Sequence, residues 1–251
     1  MAKKLRQDAS VVDGYGYLTN IAFDSVVFGF SGASLKILLM EYHNTGLFAL
    51  PGGFVKLDED LNAAVKRGLK ERTGIDTIYL EQCYVFGDKA RHQPAVMNTI
   101  LKANGWAVPK EHWLLDRFIS IAYYALVNYN DVTLVPDALS DSCTWYDITK
   151  LPPLILDHRL IVAKAQQTLQ ANLDSKIVGG NLLPKQFTMK ELQQVYEAIL
   201  GENIRRTTFQ RKMLGLGILK RHQKKYSGKA HKAPYMYSFK KNKTALSKQG
   251  G

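Results

Sequence analysis

Between Gly53 and Ile75 the chain sets two carboxylates and two guanidinium groups at suggestive spacing: Glu59, Arg67, Glu71 and Arg72. Leu61, Ala64, Val65, Gly68 and Leu69 recur at the interval of one buried helical face, which predicts a helix over Asp60–Arg72. On such a helix, positions 68, 71 and 72 stand three and four residues apart and converge on one side. Three carboxylates there would hold a hard cation such as Mg²⁺ or Mn²⁺ against a diphosphate. The chain instead supplies no side chain at Gly68, one carboxylate at Glu71 and one guanidinium at Arg72, with zero formal charge. Metal-assisted hydrolysis is therefore not expected, and neither is a bound metal. Two readings of Arg72 stand: it pairs with the phosphate or carboxylate of a ligand, or it is structural and pairs with Glu71 or Glu59. Gly68 within a helix costs about 1 kcal/mol relative to Ala and shows only that the position tolerates something small.

Charge is divided unevenly along the 251 residues, whose net charge is +12. Residues 1–175 hold 17 Lys and Arg against 19 Asp and Glu; residues 176–251 hold 17 against 3, a net of +14. Such a segment is the electrostatic footprint of a polyanion binder, set against the plainer reading of a solvated basic surface and tail. The two cysteines, Cys83 and Cys143, lie far apart without metal-like spacing, which predicts reduced thiols in a cytoplasmic setting. No apolar core follows basic Met1–Ser10 and no run of 18 apolar residues occurs, so neither signal peptide nor membrane span is expected.

The elements that must position these groups read as an α/β (α+β) sandwich with a second, basic domain. Residues 1–20 read as a loose leader. Strands are predicted over Ala22–Phe30, Leu35–His43, Thr77–Asp88 and Phe118–Asn128, with short ones over Val132–Val135 and Cys143–Tyr146. A helix opened by Leu156-Asp157-His158-Arg159 and running to about Leu173 carries Ile161, Val162, Ala165, Leu169 and Leu173 on one face. Residues 21–174 form this first domain, interrupted by an insertion at 89–116. Pro94 starts a predicted helix there and Asn104-Gly105 stops it. The insertion is a lid over the pocket or a surface excursion packing its own Trp106, His112 and Trp113.

A linker at 175–184 leads to a basic domain at 185–240 and a disordered basic tail at 241–251. Thr188 and Glu191 form a capping box for a helix ended by Gly201. A second helix spans Thr207–Leu214 with Phe209 and Met213 inward, and a basic hairpin over Lys220–Lys232 returns through Pro234–Phe239. Helices followed by such a hairpin describe a winged helix. Arg205, Arg206, Thr207, Thr208, Gln210, Arg211 and Lys212 would face base edges in the major groove. Lys225, Lys229, His231 and Lys232 would lie along phosphates.

The run Gly53, Glu59, Arg67, Leu69, Glu71, Gly74, Ile75 resembles the Nudix box, with Gly68 and Arg72 where the family's enzymes carry Glu. Together with the Leu50–Val55 corner, Ser120–Leu126, Leu156–His158, Leu182–Thr188 and Leu192–Glu202, it resembles the Nudix-related transcriptional regulators of bacteria, NrtR-like proteins. The wording of residues 182–202 stands closer to the sugar-responsive, arabinose-type members; the insertion departs from both types. The resemblance implies a homodimer paired through its Nudix halves, a double-stranded DNA operator, and a small effector (pentose, sugar phosphate or ADP-ribose). It would place that effector near Gly53, Phe54, Glu59, Arg67, Glu71, Arg72, Asp88 and His158, with no cofactor. The alternatives are a hydrolase of nucleoside-diphosphate compounds, in which Glu81 or Asp88 rebuilds a Mg²⁺ or Mn²⁺ site, and an RNA-binding protein with Tyr226, Tyr235 and Tyr237 as stacking platforms.

Overall fold

A computed structural model describes residues 14–32, 34–75, 79–132, 134–137, 139–174, 182–224 and 233–240. Its centre is β1 (Tyr17–Phe30), buried along its second half on both faces. Strand β6 (Ile119–Val127) runs parallel to it from Ile21↔Ile119 to Gly29↔Val127, while β2 (Leu35–Tyr42) and β4 (Gly52–Lys56) pair with it antiparallel. Strands β3 (Phe48–Ala49), β5 (Tyr79–Phe86) and β7 (Ser140–Asp147) complete a seven-stranded mixed sheet.

Alternation along β1 divides the core. Phe23 and Val27 pack with Ala64, Val65 and Leu69 of α1 (Leu61–Thr73) on one face. Val26 and Phe28 pack with Ile161, Val162, Ala165 and Leu169 of α3 (His158–Asn172) on the other. Helix α2 (Pro94–Ala103) matches its predicted span. It buries Ile100, which packs with Ala49 and Ile155, so the insertion is anchored to the body of the domain.

Two strand expectations fail locally. Strand β1 begins at Tyr17, inside the expected leader, because Tyr17 pairs with Lys56 across a register shift. Val132, Leu134 and Val135 are not in a strand; Val135 N–H instead donates to the carbonyl of Thr73 at the end of α1. Lys220–Lys224 lies in strand β9 (Leu219–Lys224), which pairs antiparallel with the returning strand as the expected hairpin requires.

The basic region forms a three-stranded sheet, β8 (Phe187–Thr188), β10 (Tyr235–Phe239) and β9, with α4 (Met189–Leu200) and α5 (Arg206–Gly215). The capping box is present in full: Thr188 Oγ1 accepts from Glu191 N–H, and Glu191 accepts from Thr188 N–H at 2.6 Å. This module does not keep a core of its own. Leu192, Val195, Ile199, Phe209 and Met213 join α3 and the sheet in one continuous cluster. Gln170 of α3 donates to the carbonyl of Ile199 at 2.8 Å, and the Tyr196 hydroxyl donates to the carbonyl of Leu173. Helix α3 thus supplies the surface against which α4 packs. Among the described residues no helix is long and apolar enough to cross a membrane.

Candidate functional site

The loop before α1 is held by one guanidinium. Arg67 donates through Nε and Nη2 to both oxygens of Glu59, through Nη1 to Glu71 at 2.9 Å, and through Nη2 to the carbonyl of Phe54 at 2.9 Å. The Lys56 amide donates to Glu59 from the other side at 2.8 Å. The Arg67 hydrogen bond, helped by the Lys56 amide, holds Glu59 below the usual carboxylate range. Arg67 is raised in turn, first by Glu59. With both carboxylates committed to Arg67, this part of the site serves as a clamp.

Gly68 shows why a carboxylate is missing there. A Cβ at Gly68 would stand 2.5 Å from Cζ of Phe23, and one at Gly53 would stand 2.8 Å from the same atom. The ring of Phe23, a β1 residue only 1 % exposed, lies against both glycines. The neutral notch expected from the sequence is therefore filled by an aromatic ring. Arg72 donates from Nη1 to Asp137 Oδ2 at 2.9 Å, tying α1 to the segment before β7. A ring, a guanidinium and an arginine-bound Glu71 do not fit the divalent cation of Nudix enzymes. Among the described residues no group of three or more His, Cys, Asp or Glu could hold one.

On the opposite face of β1 lies a second buried polar cluster. Arg91, from a 3-10 turn at the start of the insertion, donates through Nε (2.9 Å) and Nη2 (3.2 Å) to the two oxygens of Asp157, and through Nη1 to the carbonyl of Phe118 at 2.7 Å. Asp157 is the residue that precedes α3, and His158 is its first residue. His158 Nδ1 accepts the Leu50 amide at 3.0 Å, which places the ring proton on Nε2. Burial pushes the His158 pKa down against the pull of Asp24 and Asp157. Leu156, just upstream, adopts φ 48°, a strained conformation for a bulky residue that tends to concentrate at functional sites.

Between the two clusters lies a cavity of about 370 Å³, within the range of small-molecule sites. Tyr17, Phe54, Trp106 and Phe118 give it an aromatic wall, and Met97, Ile100 and Leu101 of α2 give it an aliphatic one. The insertion thus forms a wall, while its Trp113 packs against Tyr17, Phe54 and Phe118.

Of the residues expected at the site, Gly53, Phe54, Arg67, Glu71, Arg72 and His158 line the cavity. Glu59 sits behind Arg67 and does not line it. Asp88 is a correction: it is exposed, its carboxylate accepts the Ala90 amide to cap the turn that carries Arg91, and it does not line the cavity. Glu81, the other candidate for a rebuilt metal site, accepts from Tyr79 and Tyr124 instead. The sequence reading missed Asp24, Lys56, Arg91 and Asp137. Lys56 was findable, three residues past Gly53; the other three sit in a strand, an insertion and a loop whose patterns carry no signal.

On α5, Phe209 and Met213 are buried, and Arg205, Arg206, Thr207, Thr208 and Arg211 are exposed, with Gln210 partly so. Lys212 is turned to the first domain, its ammonium 2.7 Å from Asp174 and over the ring of Tyr196. Lys225, Lys229, His231 and Lys232 lie outside the described residues. Arg221 and Lys224 of β9 both stand over the ring of Tyr235, adding charge beside the hairpin.

A Nudix sandwich with its metal positions replaced, joined to a winged helix, defines the class of the molecule. Residues 18–165 match the NUDIX domain and residues 179–239 the NrtR DNA-binding winged helix domain. The chain belongs to the NrtR-like family of Nudix-related transcriptional regulators. It is 31% identical to a protein of Acinetobacter baylyi named as an ADPR responsive transcriptional repressor, over 86% of this chain and 80% of that one. It resembles the crystal structure of Shewanella oneidensis NrtR in complex with a 27mer DNA (TM-score 0.68, 26% identity, 88% of this chain and 93% of that one). A MutT/nudix family protein from Enterococcus faecalis shares the fold at TM-score 0.65 and 19% identity, over 96% of this chain and 93% of that one.

Proposed function

We propose that this protein is an ADP-ribose-responsive repressor: the cavity binds the effector, and α5 enters the major groove of an operator bound by a homodimer. The observation that carries the reading is the cavity itself. It has aromatic walls able to stack a base, the ammonium of Lys56 making no hydrogen bond among the described residues, and no place for the catalytic cation. The wording of residues 182–202 leans toward sugar-responsive regulators, but the Acinetobacter relative is named for ADPR, and a diphosphate suits the cations beside α1. The basic balance of residues 176–251 and the exposed Arg205, Arg206 and Arg211 support DNA as the partner. Occupancy of the cavity shifts operator affinity only as far as the effector prefers one arrangement of the two winged helices.

Titrating the protein against its own upstream DNA at several salt concentrations, with and without ADP-ribose, tests this. Expected is tight binding to one site, weakened by ADP-ribose and unmoved by free pentoses or sugar phosphates. Equal affinity for scrambled DNA overturns the operator, and a response to a pentose alone overturns the effector. Turnover of ADP-ribose with Mg²⁺ or Mn²⁺, abolished by Glu71→Gln, overturns sensing as the primary activity.

A further inference from the structure

The α3 side of the cavity presents an unmet donor and an unmet acceptor. Asp24 is 8 % exposed; its Oδ2 accepts the Ser120 hydroxyl at 2.6 Å, whereas Oδ1 accepts no hydrogen bond among the described residues. His158, 4 % exposed, points Nε2–H at that oxygen from 3.5 Å, beyond ordinary hydrogen-bond length. Arg91 Nη2 stands 3.7 Å from Asp24 Oδ2. Three of the five guanidinium N–H groups are used on Asp157 and Phe118, and two remain. All three side chains line the cavity. These groups face the cavity, so the corner is arranged for a group that both donates and accepts at close range.

A hydroxyl is such a group. We propose that Asp24, His158 and Arg91 form a subsite for adjacent hydroxyls of a sugar ring. One hydroxyl accepts from His158 Nε2–H and donates to Asp24 Oδ1, while its neighbour accepts from Arg91. The proposal rests on the reading of this cavity as the effector site, and it orients the effector. Asp24, Asp157, Arg91 and a neutral His158 sum to a charge of −1, which disfavours a phosphate and suits hydroxyl donors. Across β1, Lys56, Arg67 and Arg72 balance Glu59, Glu71 and Asp137 in formal charge, and the ammonium of Lys56 makes no hydrogen bond among the described residues. The sugar therefore points to α3 and the phosphates to α1. A base or a phosphate fits the α3 corner less well, since neither donates and accepts from one atom as a hydroxyl does.

Calorimetric titration of the full-length protein with ADP-ribose, and with two analogues each lacking the 2-hydroxyl of one of its riboses, tests the subsite. Expected is a loss of about tenfold or more in affinity for one analogue and little change for the other, which also tells which ribose enters. Asp24→Asn, checked for folding by its melting curve, is expected to abolish the difference between the two analogues. Should Asp24→Asn fail to fold, the wild-type comparison decides alone. ADP-ribose binding that neither analogue weakens overturns the subsite and leaves the effector reading intact. No binding of ADP-ribose at all overturns that reading and the subsite with it.

Discussion

At the scale of single residues, the identity of position 68 is set by a ring from another strand. Returning Glu to positions 68 and 72 together does not return a metal site, because Phe23 occupies the space that Cβ of residue 68 would need. Gly68→Glu is expected to cost roughly 1–3 kcal/mol by overpacking, and the double substitution with Arg72→Glu to give no rise in melting temperature with Mn²⁺. Phe23→Ala alone is expected to cost about 3–5 kcal/mol, read by chemical denaturation. The Arg67–Glu59 clamp sets a dependence on pH. Glu59 is lowered in the folded chain by Arg67, whereas unfolded Glu titrates near about 4.3. Its stabilising contribution is complete above that pH and is lost as pH falls through the folded value. Between about pH 6 and about pH 3, chemical denaturation should therefore show wild type losing stability more steeply than Glu59→Gln. The box was legible because it is a local spacing on one helix. Phe23, Asp24 and Asp137 were not, because their partners are long-range and apolar or loop context gives no periodic mark.

At the scale of elements, local signals were again the readable ones. The span of α2 followed from Pro94 and Asn104-Gly105, and α4 from its capping box, since caps are written within four residues. Thr188→Ala removes the acceptor for Glu191 N–H and is expected to lower stability by about 1 kcal/mol, seen as a shift in midpoint at unchanged slope. Strand limits were read less well, because pairing decides them: Tyr17 is in β1 through its partner Lys56, not through its own pattern. On α5, Arg206→Ala and Arg211→Ala are each expected to weaken operator binding by roughly 1–3 kcal/mol and to relax preference at one base. Lys212→Ala should change operator specificity little, since Asp174 holds its ammonium. Fluorescence anisotropy with single-base operator variants separates the two outcomes.

At the scale of the whole molecule, α3 belongs to both halves. Its Ile161, Val162, Ala165 and Leu169 pack under the sheet, and the same cluster runs on to Leu192, Ile199 and Phe209. One cooperative unfolding transition is expected for both halves, and Leu169→Ala should lower its midpoint with a cost of about 2–5 kcal/mol. Two separated transitions in calorimetry would refute the shared core. The amphipathic stripe of α3 was plain in the sequence, but a stripe does not say how many neighbours will use it. Dual membership also bears on anyone wishing to transplant parts. A hybrid sensor that joins this winged helix to a foreign receptor must be spliced upstream of Asp157; a seam in the 175–184 stretch, where composition invites the cut, would leave α4 and α5 without the surface they lean on.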